Sequence, residues 1–202
     1  MSMQCNIFPA SVLLWIVSCS LSLAAPNAIV AGRSIGRICL GEPAKQAMGS
    51  LGAMTNADGV SGRFWQVWTS RTSLSSKRYE LDVLTVRDES GLHEYVEQLR
   101  VTSPWFATYR GIHVGSSLSA VSTAFPKVRR VNPDATPAKH QQIALYDDVS
   151  QGITFEFAAA KYGVPGSTKC RAILVHPKRK TALDEYYPWY MPDDNGVRHD
   201  AL

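Results

Sequence analysis

The stretch Ile38-Cys-Leu40-Gly41-Glu-Pro-Ala44-Lys-Gln-Ala47-Met-Gly-Ser-Leu51-Gly52 has a counterpart 74 residues later, Ile112-His-Val114-Gly115-Ser-Ser-Leu118-Ser-Ala-Val121-Ser-Thr-Ala-Phe125-Pro126. Ile38 aligns with Ile112, Leu40 with Val114 and Gly41 with Gly115. Ala44, Ala47 and Leu51 align with Leu118, Val121 and Phe125. Self-similarity at a fixed offset is the mark of a duplicated unit. Each copy reads as a short extended stretch and a glycine turn, then a helix of about ten residues with apolar positions at i, i+3 and i+7. Pro43 suits a first helical position, and Ser116 or Ser117 can cap the second helix. Gly52 and Pro126 mark the helix ends.

The offset returns further along. Tyr79, Leu81 and Val83 alternate with polar residues, as do Ile153, Phe155 and Phe157, and Leu99 and Val101 correspond to Ile173 and Val175. This is the period of strands with one buried face. Between helix and alternating strand a further strand is expected at Phe64–Thr69 and at Ile143–Asp147. No long helix separates the strands, which excludes a doubly wound parallel sheet. The expected fold class is therefore α+β: two tandem repeats, each a short helix packed on an antiparallel three- to four-stranded sheet. Joining the two sheets edge to edge would remove a vulnerable edge from each. The expected boundaries are residues 33–106 for repeat 1, 107–180 for repeat 2 and 181–202 for a C-terminal tail.

Residues 1–25 carry no charged side chain. The run from Ser11 to Ser18 is too short to span a bilayer. Ser22-Leu23-Ala24 is a small-residue exit, so residues 1–24 read as a secretory signal. A second reading takes Ile16-Val17-Ser18-Cys19 as a lipobox, with cleavage before Cys19 and membrane anchoring through its acylated side chain. The two readings place the protein in the periplasm or outside the cell, or on the outer membrane as a lipoprotein.

The chain has 21 Lys+Arg and 17 Asp+Glu, net +4. Its basic residues fall in small clusters without the aromatic interleaving of a nucleic-acid footprint, and no nucleic-acid partner is expected. Cys39 and Cys170 remain beyond the signal, an even pair in an oxidising compartment, so a Cys39–Cys170 disulfide is expected. Neither has a Cys or His at metal spacing, and neither a metal nor a cofactor is expected.

The architecture of a tandem repeat of this size, over residues 33–177, is similar to that of the β-lactamase-inhibitor proteins. Residues 111–126 also resemble a turn–helix motif of several exported bacterial families. The resemblance implies a helical segment packed on an antiparallel sheet. It does not extend to function. No residues match the inhibitor's contact loops, and its two intra-repeat disulfides are absent because each copy holds one cysteine.

Catalytic patterns are missing from the text of the sequence. His93, His113, His140, His176 and His199 form no H-x-x-x-H or H-E-x-x-H pair. Gly59-Val-Ser61-Gly62 lacks the spacing of a nucleophile elbow, and no phosphate loop is present. Aromatic residues stand out instead. Trp65 and Trp68 lie three apart on one strand, so they face opposite sides and only one need be core. Trp105 lies between the copies. Tyr186, Tyr187, Trp189 and Tyr190 crowd a segment bounded by Pro188 and Pro192, where the backbone is held extended. Such residues favour interfaces. The expected function is that of an exported non-catalytic module that binds another protein, as an inhibitor or immunity-type protein, with Trp105, Tyr186, Tyr187, Trp189 and Tyr190 at the contact. The alternatives are an envelope assembly or small-ligand-binding protein and, behind these, a hydrolase.

Overall fold

A computed structural model describes residues 25–71, 78–131, 143–158 and 169–182. The signal or lipobox stretch, the tyrosine-rich tail, His140 and His199 lie outside them. Among the described residues the chain forms twelve strands and two helices. In order these are β1 (Ala28–Val30), β2 (Ser34–Ile35), β3 (Ile38–Cys39), α1 (Ala44–Gly49), β4 (Asn56–Val60), β5 (Arg63–Arg71) and β6 (Arg78–Arg87). There follow β7 (Glu94–Val101), β8 (Ala107–Thr108), α2 (Leu118–Ala124), β9 (Arg129–Val131), β10 (Ile143–Asp148), β11 (Ile153–Ala158) and β12 (Cys170–Val175).

The expected α+β class is corrected by this architecture, which is sheet-dominated. The helices have 6 and 7 residues, under two turns each, and cannot form a layer of their own. One antiparallel sheet holds eight strands in the order β4-β5-β6-β7-β12-β11-β10-β9. Its middle is the β7–β12 pair, with Leu99 opposite Val175, Arg100 opposite Leu174 and Val101 opposite Ile173. A second, four-stranded sheet, β3-β2-β1-β8, was not anticipated. In it β1 pairs in parallel with β8, Ala28 opposite Ala107, so chain from before the first expected repeat is hydrogen-bonded to the start of the second. The two expected helix-plus-sheet units therefore do not stand as separate layers.

Local signals are met by specific bonds. The Ser117 hydroxyl accepts the Ala120 N–H at 3.1 Å and caps α2, satisfying one of the orphan donors of a helix start. Ser116 Oγ accepts the His113 N–H at 3.0 Å. Pro43 precedes α1 and its carbonyl accepts from Gln46 and Ala47.

One face of the large sheet carries the main core. Val83, Leu99, Val101, Phe155, Phe157, Ile173 and Val175 pack there against Ile29, Ile35 and Ile38 of the small sheet, Ala47 of α1, and Val121 and Phe125 of α2. The Phe125 and Phe155 rings are tilted at a centroid distance of 5.0 Å. The opposite face was expected to be solvated. It is buried as well: Asp82, Leu84, Gln98, Thr154, Glu156, Ala172 and Leu174 are each at most 1% exposed. Trp65 and Trp68, on opposite faces, are accordingly both buried.

Candidate functional site: an aromatic groove and a buried ionic row

On the core face, an open groove of about 820 Å³ lies at the end of β5, β6 and β7. Strand pairing lines up its floor, because Trp68 is opposite Leu81 and Leu81 opposite Val101. Leu51 and Ala53, just past α1, form one wall, and Ser103 to Phe106 between β7 and β8 form the other. Trp68 is fixed from behind, its Nε1–H donating to the Gly52 carbonyl at 3.2 Å. The Trp105 carbonyl accepts from Asn27 Nδ2 at 3.3 Å, which ties the wall to the residue before β1. Trp105 is 66% exposed. Of the residues expected to bind a partner, Trp105 thus sits on the wall of a concave apolar surface. Tyr186, Tyr187, Trp189 and Tyr190 lie outside the described residues.

The opposite face holds ionisable groups that sequence reasoning missed. Arg100, on β7, donates from Nη1 to Asp82 Oδ2 of β6 at 2.8 Å. It donates from Nε and Nη2 to Glu156 Oε2 of β11 at 3.2 and 3.1 Å, and Glu80 Oε2 lies 3.6 Å from Nη1. The guanidinium therefore reaches past β12, where Ala172 and Leu174 are the side chains on this face. Desolvation pushes the Asp82 carboxyl up to about 7, with Arg100 opposing that shift. Among the described residues Asp82 Oδ1 and both amide atoms of Gln98 are buried without a hydrogen-bond partner. The missed signal was Asp82, Arg100 and Glu156 in the polar phase of alternating strands, which reads as solvent-facing.

The neighbouring histidine is structural. His176 is fully buried, with Nε2 3.0 Å from Asp147 Oδ1 and 3.2 Å from Thr154 Oγ1. Its Nδ1 is 3.1 Å from the Pro177 carbonyl, an acceptor, so Nδ1 carries a proton. Carboxylate and hydroxyl meet the same ring nitrogen, whereas a nucleophile relay needs them on opposite nitrogens. His113 is exposed, its Nδ1 2.8 Å from the Val114 carbonyl.

The expected Cys39–Cys170 disulfide is not formed. Cys170 is a buried thiol whose Sγ donates to the Ala172 carbonyl at 3.2 Å. Burial pushes that thiol up to about 12. It lies inside the core while Cys39 is half-buried on the small sheet.

A solved structure, that of the uncharacterized protein yfeY from Escherichia coli, matches at a TM-score of 0.41 and 12% identity over 73% of this chain and 98% of that one. A likeness at that score carries no argument about function. No family model and no curated protein matches the chain.

Proposed function

We propose that this chain is an exported, non-catalytic binding protein whose aromatic groove holds an apolar segment of another protein. The observation that carries this reading is Trp105, a large aromatic residue left 66% exposed on the wall of a groove floored by Trp68, Leu81 and Val101. A tryptophan beside a preformed apolar concavity is the usual composition of a binding hot spot. The ionisable groups support the same reading. Arg100 is held by its carboxylates and His176 by Asp147 and Pro177; neither lines the groove, and Glu80, the member of the ionic cluster that does, lies 3.6 Å from Arg100 Nη1.

A small apolar ligand is the second reading, favoured by the groove's volume, which falls within the range of small-molecule sites. Affinity capture from the native cell envelope separates the two, with the wild-type chain and Trp105→Ala as parallel baits. The proposal expects a discrete protein enriched by the wild type and depleted at least tenfold with Trp105→Ala. Identical protein profiles from both baits would reject it. Co-purification of a lipid or other small apolar molecule with the wild type alone would select the second reading.

A further inference from the structure

The groove has a counterpart in the other half of the large sheet, and there the chain fills it with its own turn. The halves meet at β7 and β12, where Leu99 is opposite Val175 and Val101 opposite Ile173. Ile173 and Val175 stand 74 residues after Leu99 and Val101, so the two pairs exchange counterparts, as a local twofold axis requires. The relation extends outward. Val101 is opposite Leu81 and Val175 opposite Ile153, and the register shifts at Leu84/Thr85 in one half and at Glu156/Phe157 in the other. One residue before Leu81, the Glu80 carbonyl accepts the Thr102 N–H at 3.0 Å; one residue before Ile153, the Gly152 carbonyl accepts the His176 N–H at 3.1 Å.

On the second-half site sits the turn between β1 and β2. Val30 is opposite Ser34, and Gly32 at the tip between them has φ +67°, a conformation that glycine adopts without steric cost. The Gly32 N–H donates to the Gly152 carbonyl at 3.0 Å. A Cβ on Gly32 would lie 2.6 Å from the Gln151 carbonyl oxygen and 2.7 Å from Lys178 Cγ, so the turn is wedged between Gln151–Gly152 and Lys178. The first-half counterparts of Gln151, Gly152 and Lys178 are Tyr79, Glu80 and Pro104, and all three line the groove. Phe106 is the counterpart of Gly32, yet it stands on the wall. Its Cε1 is 3.1 Å from where a Cβ on Gly36 would be, which places the ring against the small sheet.

The first-half site is also the larger. β5 and β6 run on past the Trp68–Leu81 pair through Thr69–Glu80, Ser70–Tyr79 and Arg71–Arg78, whereas β10 and β11 end at Asp148–Ile153. Trp68 and Trp105 stand where the second half has Asp148 and Arg179. We propose that the groove takes a glycine-tipped β-hairpin turn of another protein, entering as the β1–β2 turn enters the second site. This rests on the reading of the groove as a protein-binding site and names the shape it binds. A glycine tip lets the incoming backbone approach closely. Small apolar residues beside it, in the places of Val30 and Ala31, meet Trp68, Leu81 and Trp105 instead of a polar rim.

A defined probe tests it: a peptide with the sequence of residues 28–35, cyclised through its ends to hold the hairpin. It is titrated into the full chain while the indole N–H signals of Trp68 and Trp105 are followed by NMR. Both signals are expected to shift. Affinity is expected to fall at least tenfold with Gly32→Val in the peptide, and at least tenfold with Trp105→Ala in the protein. Equal affinity for the two peptides, no shift at either indole, or shifts confined to the His176 ring would overturn the proposal. The titration does not involve the natural partner. Its failure beside a partner adduct from a photo-residue at position 105 would therefore remove the turn and leave the groove as a protein-binding site. Where that adduct forms, the linked residue should lie beside a glycine joining two strands of the partner, and a link within a helix would also overturn the proposal.

Discussion

Arg100 and Glu156 sit on strands two places apart, and the guanidinium nevertheless meets the carboxylate at 3.1 Å, passing over β12 to do so. With Asp82 on the other side at 2.8 Å, one side chain bridges β6, β7 and β11. Removing a partner from a buried ionic cluster leaves uncompensated charge, which costs about 3–5 kcal/mol. Arg100→Met should lower unfolding stability by about that amount in urea titration. The triple variant Asp82→Leu, Arg100→Met, Glu156→Leu should recover most of it, because apolar replacement of a whole buried cluster is commonly neutral or stabilising.

The same cluster gives a pH dependence with a defined sign. The Asp82 carboxyl titrates at about 7 in the folded chain against 3.8 in the reference state. The folded state therefore holds the proton more tightly. The stability this contributes is complete below pH 3.8 and is lost as pH rises through about 7. One proton gives a slope of at most about 1.4 kcal/mol per pH unit. Asp82→Asn should remove that slope between pH 4.5 and 7.5 in denaturant titrations. An unchanged slope in the variant would exclude Asp82 as its source.

Gly152 marks a crossing of three chain segments. Its carbonyl accepts from both Gly32 and His176, and a Cβ built on it would lie 2.3 Å from the His176 carbonyl oxygen. Its φ of +74° adds a left-handed penalty. Gly52 has φ +76° with open space around the missing Cβ. Gly152→Ala should therefore cost about 3 kcal/mol or more, and Gly52→Ala only about 1 kcal/mol. Equal losses in thermal melts would show that the close crossing is not tight.

Cys170 should be inert. Its thiol is buried, bonded to the Ala172 carbonyl and pushed up to about 12, which leaves almost no thiolate at neutral pH. Alkylation followed by peptide mapping should find Cys170 unmodified in the folded protein and modified in denaturant. Modification of Cys170 in the folded protein at the rate seen in denaturant would contradict this placement.

The sequence is most readable where a side chain's neighbours are local. A cap at Ser116 or Ser117 was legible, and the structure selects Ser117; the alternation of Leu81 and Val83, Phe155 and Phe157, and Leu99 and Val101 located β6, β11 and β7. The strand pair of Ala28 and Ala107 was not legible, since it joins two short stretches far apart in the chain and neither shows a period. The buried second face was also hidden. Asp82, Gln98, Arg100 and Glu156 look like solvent positions until their burial and the ion pairs are seen together, because polarity reports exposure only for unpaired groups. The overestimate of helix has a similar origin. Positions 44, 47 and 51 keep a helical period, but α1 stops at Gly49 and the chain turns at Gly52. In the candidate site, Trp105 was legible as an aromatic between the copies, whereas its groove depends on the pairing of Trp68, Leu81 and Val101 and could not be read locally.

The central claim is that the groove beside Trp105 is where another protein is held. The most direct measurement is photo-crosslinking in the native cell envelope, with p-benzoylphenylalanine placed at position 105 or at position 92. Leu92 is 80% exposed and lies in the β6–β7 turn, at the opposite end of the strands from the groove. The account predicts a discrete adduct to another protein from position 105 and none from position 92. Adducts of equal yield from both positions, or none from position 105, would contradict it.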